Sequence, residues 1–157
     1  MEWTDFERAA ADLAQEARDA FERASVAQVG TIRADGSPRI SNVQPAVVSD
    51  RLYLGMMWMS TKARDLLRDP RLVLRNPVCT NEGDEREITL RGRAISVTDR
   101  ETRATFVEAV AATTTWAEPR FHLFAVDIET CSIVAYGGGQ QHVRLWPHGV
   151  EFSKAYG

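Results

Sequence analysis

From residue 26 onward the sequence divides into short segments in which apolar and polar residues alternate, separated by turn residues such as Gly, Asp and Pro. Alternation with a period of two is typical of strands that have one buried face. Helical segments do not alternate regularly with these strands, so a parallel, doubly wound sheet is not favoured. The pattern predicts a mainly β fold with peripheral helices, in which an antiparallel sheet closes into a barrel. We predict seven or eight short strands, the last of them a ribbon, at 26–33, 39–48, 52–57, 71–75, 85–97, 121–128, 132–136 and 142–152.

The segment before the first strand has a helical period instead. Apolar residues recur there at intervals of three and four with charged residues between them, which predicts one amphipathic helix over about 5–24. Thr4 and Glu7 have the spacing of a capping box, in which each side chain bonds an unpaired amide at the start of a helix. We therefore expect a single N-terminal helix that begins near the fifth residue.

Two further helices are predicted between strands. A helix over about 99–112 is preceded by Thr98 and Glu101, which have the spacing of a second capping box. A shorter helix of about two turns is predicted over 60–69, where Pro70 prevents its continuation. Both helices are expected at the periphery of the sheet.

The composition limits the class of protein. The 157 residues include 19 Lys and Arg against 22 Asp and Glu, a formal net charge of −3. A chain of this length forms one domain, 1–157, with its own core. It lacks the positive field that general nucleic-acid binding needs, and its apolar runs are shorter than the roughly 20 residues of a membrane span. Cys79 and Cys131 match no metal-ligand spacing and suit a reducing compartment. We expect a cytoplasmic protein that binds neither nucleic acid nor membrane.

The start of the helix at 60–69 is a candidate anion site. The first turn of a helix presents unpaired amides and a positive dipole end, and here Ser60 and Thr61 add hydroxyls while Lys62 adds a charge. Arg39, on a neighbouring predicted strand, could add a forked contact to the same anion. The alternative interpretation is that Ser60 only caps the helix and that Lys62 and Arg39 are solvated.

Four bulky apolar residues, Met56 to Met59 with Trp58 among them, precede this site. They cannot all face inward on a strand of period two, so one or two of them are expected to project elsewhere. Met and Trp side chains suit a flat aromatic ligand or the surface of another subunit. Ordinary core packing is the alternative.

No catalytic constellation is recognisable in the sequence. His122, His142 and His148 lack the pairing at i and i+4 that would indicate a metal site, so we predict no bound metal. The glycines at 137–139 lack the spacing and context of a phosphate loop and are interpreted as a wide turn. The catalytic residues are therefore unknown, and a bound cofactor is expected to carry any reaction.

The order and spacing of five segments resemble those of the pyridoxamine 5′-phosphate oxidase-like family of FMN-binding split barrels. This family includes the deazaflavin (coenzyme F420)-dependent oxidoreductases of actinobacteria. The similar segments are the first hairpin, the third strand, the Lys-bearing helix before Asp-Pro, the long strand with its central Gly, and a C-terminal signature, at 29–44, 52–55, 62–71, 86–94 and 144–147.

This resemblance implies a split barrel that forms a homodimer, with the cofactor in a groove between subunits. Ser60, Thr61 and Lys62 would lie at the cofactor phosphate, with help from Arg39. The ring system and ribityl chain would contact residues of two strands and of the C-terminal ribbon, the last supplied by either chain. These residues are Ile40, Ser41, Asn42 and Gln44 on the predicted strand 39–48, Leu54, Gly55 and Met56 on the opposite wall, and Arg144 and Trp146 on the ribbon.

By the same resemblance, the function would be that of a flavin-binding oxidoreductase that moves a hydride between FMN and a small substrate. Two alternatives stay open. The first is a reductase that uses F420. The second is a non-catalytic module that binds flavin or haem, in which one of the three histidines could reach the haem iron.

Overall fold

The structure, a computed structural model, describes residues 1–79, 86–112 and 120–155. The predicted loop at 80–84 and the first residue of the strand predicted at 85–97 lie outside these ranges. Four helices form among the described residues: α1 (Trp3–Ala9), α2 (Ala11–Ala24), α3 (Thr61–Arg68) and α4 (Arg100–Val110). The nine strands are β1 (Ala27–Ile32), β2 (Pro38–Val43), β3 (Pro45–Val48), β4 (Arg51–Met57), β5 (Arg71–Arg75), β6 (Glu87–Ser96), β7 (Phe121–Gly137), β8 (Gln140–Trp146) and β9 (Val150–Ala155).

The strands form one antiparallel sheet. Its main path runs in the order β2-β1-β5-β6-β7-β4-β3, and β8 and β9 extend from β7. The path does not close, because β2 and β3 lie at its two ends although only Gln44 separates them in the chain. The prediction of an antiparallel split barrel is confirmed, whereas the complete closure suggested by periodicity alone is not found.

The predicted strand at 39–48 is two strands. β2 pairs with β1, while β3 pairs with β4, where Pro45 lies opposite Leu54. The division falls at Gln44, directly before Pro45, which has no amide hydrogen to donate to a ladder. At this point the chain passes from one end of the main path of the sheet to the other.

The segments predicted as separate strands at 121–128 and 132–136 form one long strand, β7. Its first residues pair with β4, and residues 131–137 pair with β8. One of the polar residues between the two segments, Glu129, is the extra residue of a bulge in β7 opposite the step from Arg91 to Gly92 of β6, so the ladder continues with a shift of register. A Cβ at Gly92 would lie 2.2 Å from the carbonyl oxygen of Asp127, which explains the glycine at the close approach.

The single helix predicted over 5–24 is interrupted at Ala10, whose φ and ψ of −154° and 63° end α1 and precede α2. The predicted capping box is also absent. Thr4 Oγ1 donates a hydrogen bond to Asp50 Oδ1, and Glu7 Oε1 accepts one from Trp3 Nε1 instead of capping the helix. Glu7 Oε1 also accepts a hydrogen bond from Arg18 Nη2 of α2. Other side-chain contacts, two of them tertiary, therefore replace the capping bonds that the spacing suggested.

The second predicted capping box is displaced by one residue. Asp99 is the N-cap of α4, and its carboxylate accepts a 2.8 Å hydrogen bond from the backbone amide of Thr102. Thr98 and Glu101 therefore do not form the box. The aspartate in the N-cap position satisfies the orphan amide of Thr102, one residue beyond the amide that the predicted box would have bonded.

Two buried clusters hold the fold together. The larger one fills the barrel and includes side chains of α1 and α2, among them Trp3 and Phe6, together with the even-numbered residues of β4. The smaller one lies on the opposite face of β4 and β7, where Tyr53, Leu123 and Phe121 pack under Phe106 of α4. None of the described helices is long and apolar enough to cross a membrane.

Candidate functional site

The first turn of α3 lies against the end of β2. Lys62 Nζ donates a hydrogen bond to the carbonyl oxygen of Asn42, so helix and strand meet at the predicted anion site. Burial lowers the pKa of the Lys62 ammonium, because the charged form loses solvation. A partly buried cation with this geometry would gain from an anion placed beside it.

Ser60 is the N-cap residue of α3, yet its side chain makes no capping hydrogen bond. Its Oγ is buried and has no hydrogen-bond partner among the described residues. Buried hydroxyls are normally paired, since an unpaired one costs roughly 1–3 kcal/mol. The interpretation of Ser60 as a simple cap is therefore not supported, and its hydroxyl keeps its full capacity for hydrogen bonds. Thr61, the next residue, is exposed at the same helix start.

Arg39 of β2 is held by an acidic residue that the sequence analysis did not single out. Its Nε donates a 2.6 Å hydrogen bond to Oδ2 of Asp65, which is 4% exposed on α3. Burial alone would raise the pKa of Asp65, but the hydrogen bonds from Arg39 and Thr31 more than offset this and leave the pKa below its ordinary value. The carboxylate is therefore ionised and paired with Arg39.

The run of four apolar residues from Met56 to Met59 leaves the core after its first residue. Met56 is fully buried, whereas Met57, Trp58 and Met59 are 60%, 51% and 48% exposed. Trp58 lies parallel to His122 of β7, with ring centroids 4.4 Å apart. The prediction that part of this run projects outward is confirmed. Three large apolar side chains thus stand at the start of α3.

The remaining predicted residues of β2 and β4 divide into surface and core. Ile40 is 73% exposed, and Ser41 is half-buried beside it. Leu54, like Met56, is fully buried inside the barrel, so its side chain forms no part of an accessible wall. Gly55 lies between them, on the opposite face of β4.

An apolar groove runs along β3 between α2 and α4. Its volume is about 460 Å³, within the range of pockets that hold small organic ligands. The groove includes two residues predicted from the sequence, Gln44 and Gly55, and apolar side chains of both neighbouring helices, among them Phe21 and Phe106. It therefore offers space for a planar apolar group next to the end of β2.

The C-terminal ribbon lies elsewhere in the same chain. Arg144 forms an ion pair with Glu16 at 2.5 Å, and Trp146 packs against Phe6 with ring centroids 5.0 Å apart. Trp146 is opposite Cys131, nine residues along β7 from His122, a separation of roughly 30 Å along an extended strand. Within one chain, Arg144 and Trp146 are thus not brought to the start of α3. That Arg144 and Trp146 of a partner chain contact the cofactor stays a prediction.

The sequence did not identify two residues of the site: Asp65 was not considered, and His122 was named only as one of three histidines. Asp65 follows Lys62 by three positions and therefore shares its helix face, a signal that was present in the spacing. His122 occupies an inward position of an alternating strand, and its Nε2 is buried without a partner among the described residues. Only the structure shows that Trp58 covers it.

The open antiparallel barrel with a Lys-bearing helix at the end of an edge strand defines a split-barrel protein. The chain belongs to the pyridoxamine 5′-phosphate oxidase family, whose sequence profile matches residues 13–135. Comparison with curated protein sequences gives no significant match.

Solved structures of the same fold include proteins with different described roles. A "heme binding protein" from Mycobacterium smegmatis has a TM-score of 0.65 at 21% identity over 91% of this chain. The match spans 57% of that protein's length, so the Mycobacterium protein contains a large additional part. HutZ, the haem storage protein of Vibrio cholerae, has a TM-score of 0.61 at 16% identity, covering 74% of this chain and 90% of that one. A putative pyridoxamine 5′-phosphate oxidase from Listeria innocua has a TM-score of 0.60 at 14% identity, covering 76% and 95%.

Proposed function

We propose that this chain binds the phosphate of a flavin cofactor, FMN in the first instance, at the start of α3 and acts as an oxidoreductase. The observation that carries the proposal is the buried, unpartnered Oγ of Ser60 beside the partly desolvated ammonium of Lys62. Both groups can donate hydrogen bonds to phosphate oxygens, and the positive end of α3 favours the same charge. The residues present therefore fit a phosphate group.

The apolar surface beside this site suits the rest of such a cofactor. A flavin ring system is planar and largely apolar, and when bound it supplies the capacity to accept and donate a hydride. The exposed side chains of Met57, Trp58 and Met59 and the groove next to Gln44 would cover the ring and exclude water from it. The chain's own contribution is binding, orientation and exclusion of water, and we assign no general acid or base.

A homodimer is part of this proposal. Ile40 at the edge strand β2, and Met57 and Trp58 before α3, are large apolar residues exposed in the single chain. Exposed apolar patches of this kind mark binding surfaces. We propose that a second copy covers part of this surface and encloses the cofactor. Sedimentation analysis of the wild type and of Ile40→Glu tests this, because a dimer is expected for the first protein and a monomer for the second.

F420 is the alternative redox cofactor, and nothing in the first turn of α3 distinguishes its phosphate from that of FMN.

The buried thiol of Cys131 is not a candidate nucleophile, because burial raises its pKa to about 12. Any reductase activity would thus depend on the bound cofactor with either ligand. The cytoplasm, where both cofactors occur, is the proposed location.

Haem binding is a second candidate function, without catalysis. The specific observation that favours it is the unpartnered Nε2 of His122, an atom that could ligate iron. Trp58 covers the imidazole, so Trp58 would have to move before iron could reach it. Of the other histidines, His142 is exposed and its Nδ1 lies 2.6 Å from Ser153 Oγ. The two haem proteins among the structural relatives make this candidate worth testing directly.

One set of titrations tests these proposals. Purified wild-type protein is titrated with FMN, riboflavin, F420 and haemin, and binding is followed by fluorescence quenching and visible absorbance. We expect saturable FMN binding that is tighter than riboflavin binding, because riboflavin lacks the phosphate. Tighter F420 binding would transfer the proposal to the deazaflavin. A Soret band that shifts on haemin binding and is lost in His122→Ala, with no flavin binding, would replace it with the haem module.

A further inference from the structure

Asp65 is the point at which three elements of the candidate site meet. One carboxylate oxygen, Oδ2, accepts a 2.6 Å hydrogen bond from Arg39 Nε of β2 and a 3.0 Å hydrogen bond from Thr31 Oγ1 of β1. Thr31 and Arg39 are directly opposite each other in the β1–β2 ladder. The carboxylate of α3 thus binds a cross-strand pair and fixes both side chains in relation to the helix.

The contact with Arg39 uses only one side of the guanidinium. Nε is bonded to Asp65, while the two terminal nitrogens make no hydrogen bond within the part of the chain that the structure describes. The Arg39 side chain is 21% exposed, so these nitrogens are partly accessible. A guanidinium held in this way still presents two parallel N–H groups, which match the oxygens of a phosphate.

The same helix face also carries Lys62. Lys62 and Asp65 are three residues apart on α3, and the β2 residues that they contact, Asn42 and Arg39, are three residues apart on the strand. The two contacts therefore run in parallel between helix and strand. They place the ammonium and the guanidinium on one side of β2, about 10 Å apart along its backbone, a distance that two long side chains can span toward one anion.

We propose that Asp65 is a positioning residue that orients Arg39, so that the terminal guanidinium nitrogens face the phosphate of the cofactor bound at Ser60 and Lys62. This inference rests on the proposed function and adds to it a residue that touches no ligand. A flexible arginine loses conformational entropy when it binds an anion, and a side chain already held by a buried carboxylate loses less. The buried charge of Asp65 is compensated by Arg39 and Thr31 at Oδ2 and by Arg68, which lies 3.4 Å from Oδ1. The short contact with Oδ2 keeps Arg39 in one orientation.

A different role for Asp65 would be purely structural, with the carboxylate neutralising Arg39 and drawing it away from ligands. The two roles differ in their consequences for FMN and riboflavin, which share the ring system but differ in the phosphate. Release of Arg39 from Asp65 weakens only phosphate recognition under the proposal. Under the structural role, the loss of Asp65 leaves the preference for FMN unchanged or strengthens it.

The test compares FMN and riboflavin affinities of the wild type, Asp65→Asn, Arg39→Lys and the double variant. We expect Asp65→Asn to weaken FMN binding by about tenfold while riboflavin binding stays within about twofold. Arg39→Lys is expected to cause a similar loss of FMN affinity. A lysine ammonium cannot bond Asp65 and at the same time present two parallel N–H groups to the phosphate. The double variant is expected to be no weaker than Arg39→Lys, since the two residues act as one unit.

Thr31→Val serves as the control for stability. It removes the other donor to the same carboxylate oxygen and leaves the contact of Asp65 with Arg39 in place. We expect a lower unfolding midpoint with FMN affinity within about twofold of the wild type. An Asp65→Asn protein that binds FMN as tightly as the wild type, or that loses FMN and riboflavin equally, overturns the inference alone. A wild-type protein that binds neither ligand overturns the proposed function as well.

Discussion

Trp58 lies face to face with His122, with an angle of 7° between the ring planes. The imidazole in turn stacks near Phe124, whose ring centroid is 6.0 Å away. These three rings form a column from the surface beside α3 into the barrel core. Because one face of the Trp58 ring is packed on His122, this exposed tryptophan is held in one orientation at the edge of the candidate cofactor site.

The first prediction concerns the protonation of His122. Burial, and to a smaller extent the charge of Arg103, lowers the pKa of His122 below its ordinary value. The unfolded chain therefore binds a proton more tightly than the folded chain. The free energy of unfolding is expected to fall as the pH drops below about 6.5, with the loss complete once the pH is below the folded pKa.

His122→Phe is expected to remove this part of the pH dependence. At neutral pH the variant should be as stable as the wild type or more stable by up to about 1 kcal/mol, because it replaces an unpaired buried nitrogen by a carbon ring. Urea unfolding curves between neutral pH and mildly acid pH measure the effect. His142→Phe, at an exposed position of β8, is the matched control, and an equal change in both variants would count against the assignment.

A second prediction separates two roles of Ser60. Replacement of a helix-capping serine by alanine lowers the free energy of unfolding of a protein by roughly 0.5–2 kcal/mol. Ser60 Oγ makes no such bond, so Ser60→Ala is expected to leave the stability of the ligand-free protein unchanged or slightly raised, while it weakens FMN binding. Asp99→Ala, which removes an observed cap of α4, should destabilise by about 1 kcal/mol in the same thermal melts. A clear loss of stability in Ser60→Ala would show that the hydroxyl has a structural partner.

The third prediction uses the fact that the chain has two lysines. Lys62→Ala is expected to weaken FMN binding by about 1.5–3 kcal/mol, or roughly 10- to 150-fold, through loss of a charged hydrogen bond to phosphate. Lys154→Ala, at the other end of the chain on β9, should have no effect. Both affinities are measured by quenching of flavin fluorescence. The loss in Lys62→Ala should also become smaller as the salt concentration is raised. Equal affinities of the two variants would exclude Lys62 from the site.

The fourth prediction concerns Gly92 of β6, which lies opposite the bulge of β7. Gly92→Ala would bring a methyl group to 2.2 Å from the Asp127 carbonyl oxygen and 3.0 Å from its carbon. Neither backbone atom can move without disturbing the β6–β7 ladder, so we expect a loss of about 1–3 kcal/mol in denaturant unfolding. Gly137→Ala is the control, because a Cβ there has no neighbour within 4 Å. Comparable stability of the two variants would contradict the close packing at the bulge.

The sequence was sufficient to predict the fold and the start of α3. Strand β5 was predicted at its observed bounds, and the helix over 60–69 was placed within a residue at each end, because periodicity and Pro70 are local signals. The break at Ala10 was not predictable from periodicity, since the apolar spacing continues through it. Thr4 bonds Asp50 and Glu7 accepts a hydrogen bond from Arg18 of α2, so the absence of the capping box depends on tertiary contacts that no local pattern contains.

The candidate site was predicted in part for the same reason. Ser60, Thr61 and Lys62 are adjacent in the chain, so one motif was enough to identify them. Arg39 and Asp65, which form an ion pair, are 26 positions apart in the chain. Trp58 and His122, which stack on each other, are 64 positions apart. Contacts at such separations follow from strand register and from the way α3 lies on the barrel. They become visible only in three dimensions.

The two end strands of the main path of the sheet are joined through Gln44, since β2 ends at Val43 and β3 begins at Pro45. Two peptide units span at most about 7 Å, so the edges cannot separate further than this at their junction, however far they diverge beyond it. The opening in the barrel is therefore a wedge with its apex at Gln44. Fluctuations can widen its broad end while the apex keeps its width, and a molecule that enters the seam has to come from the broad end.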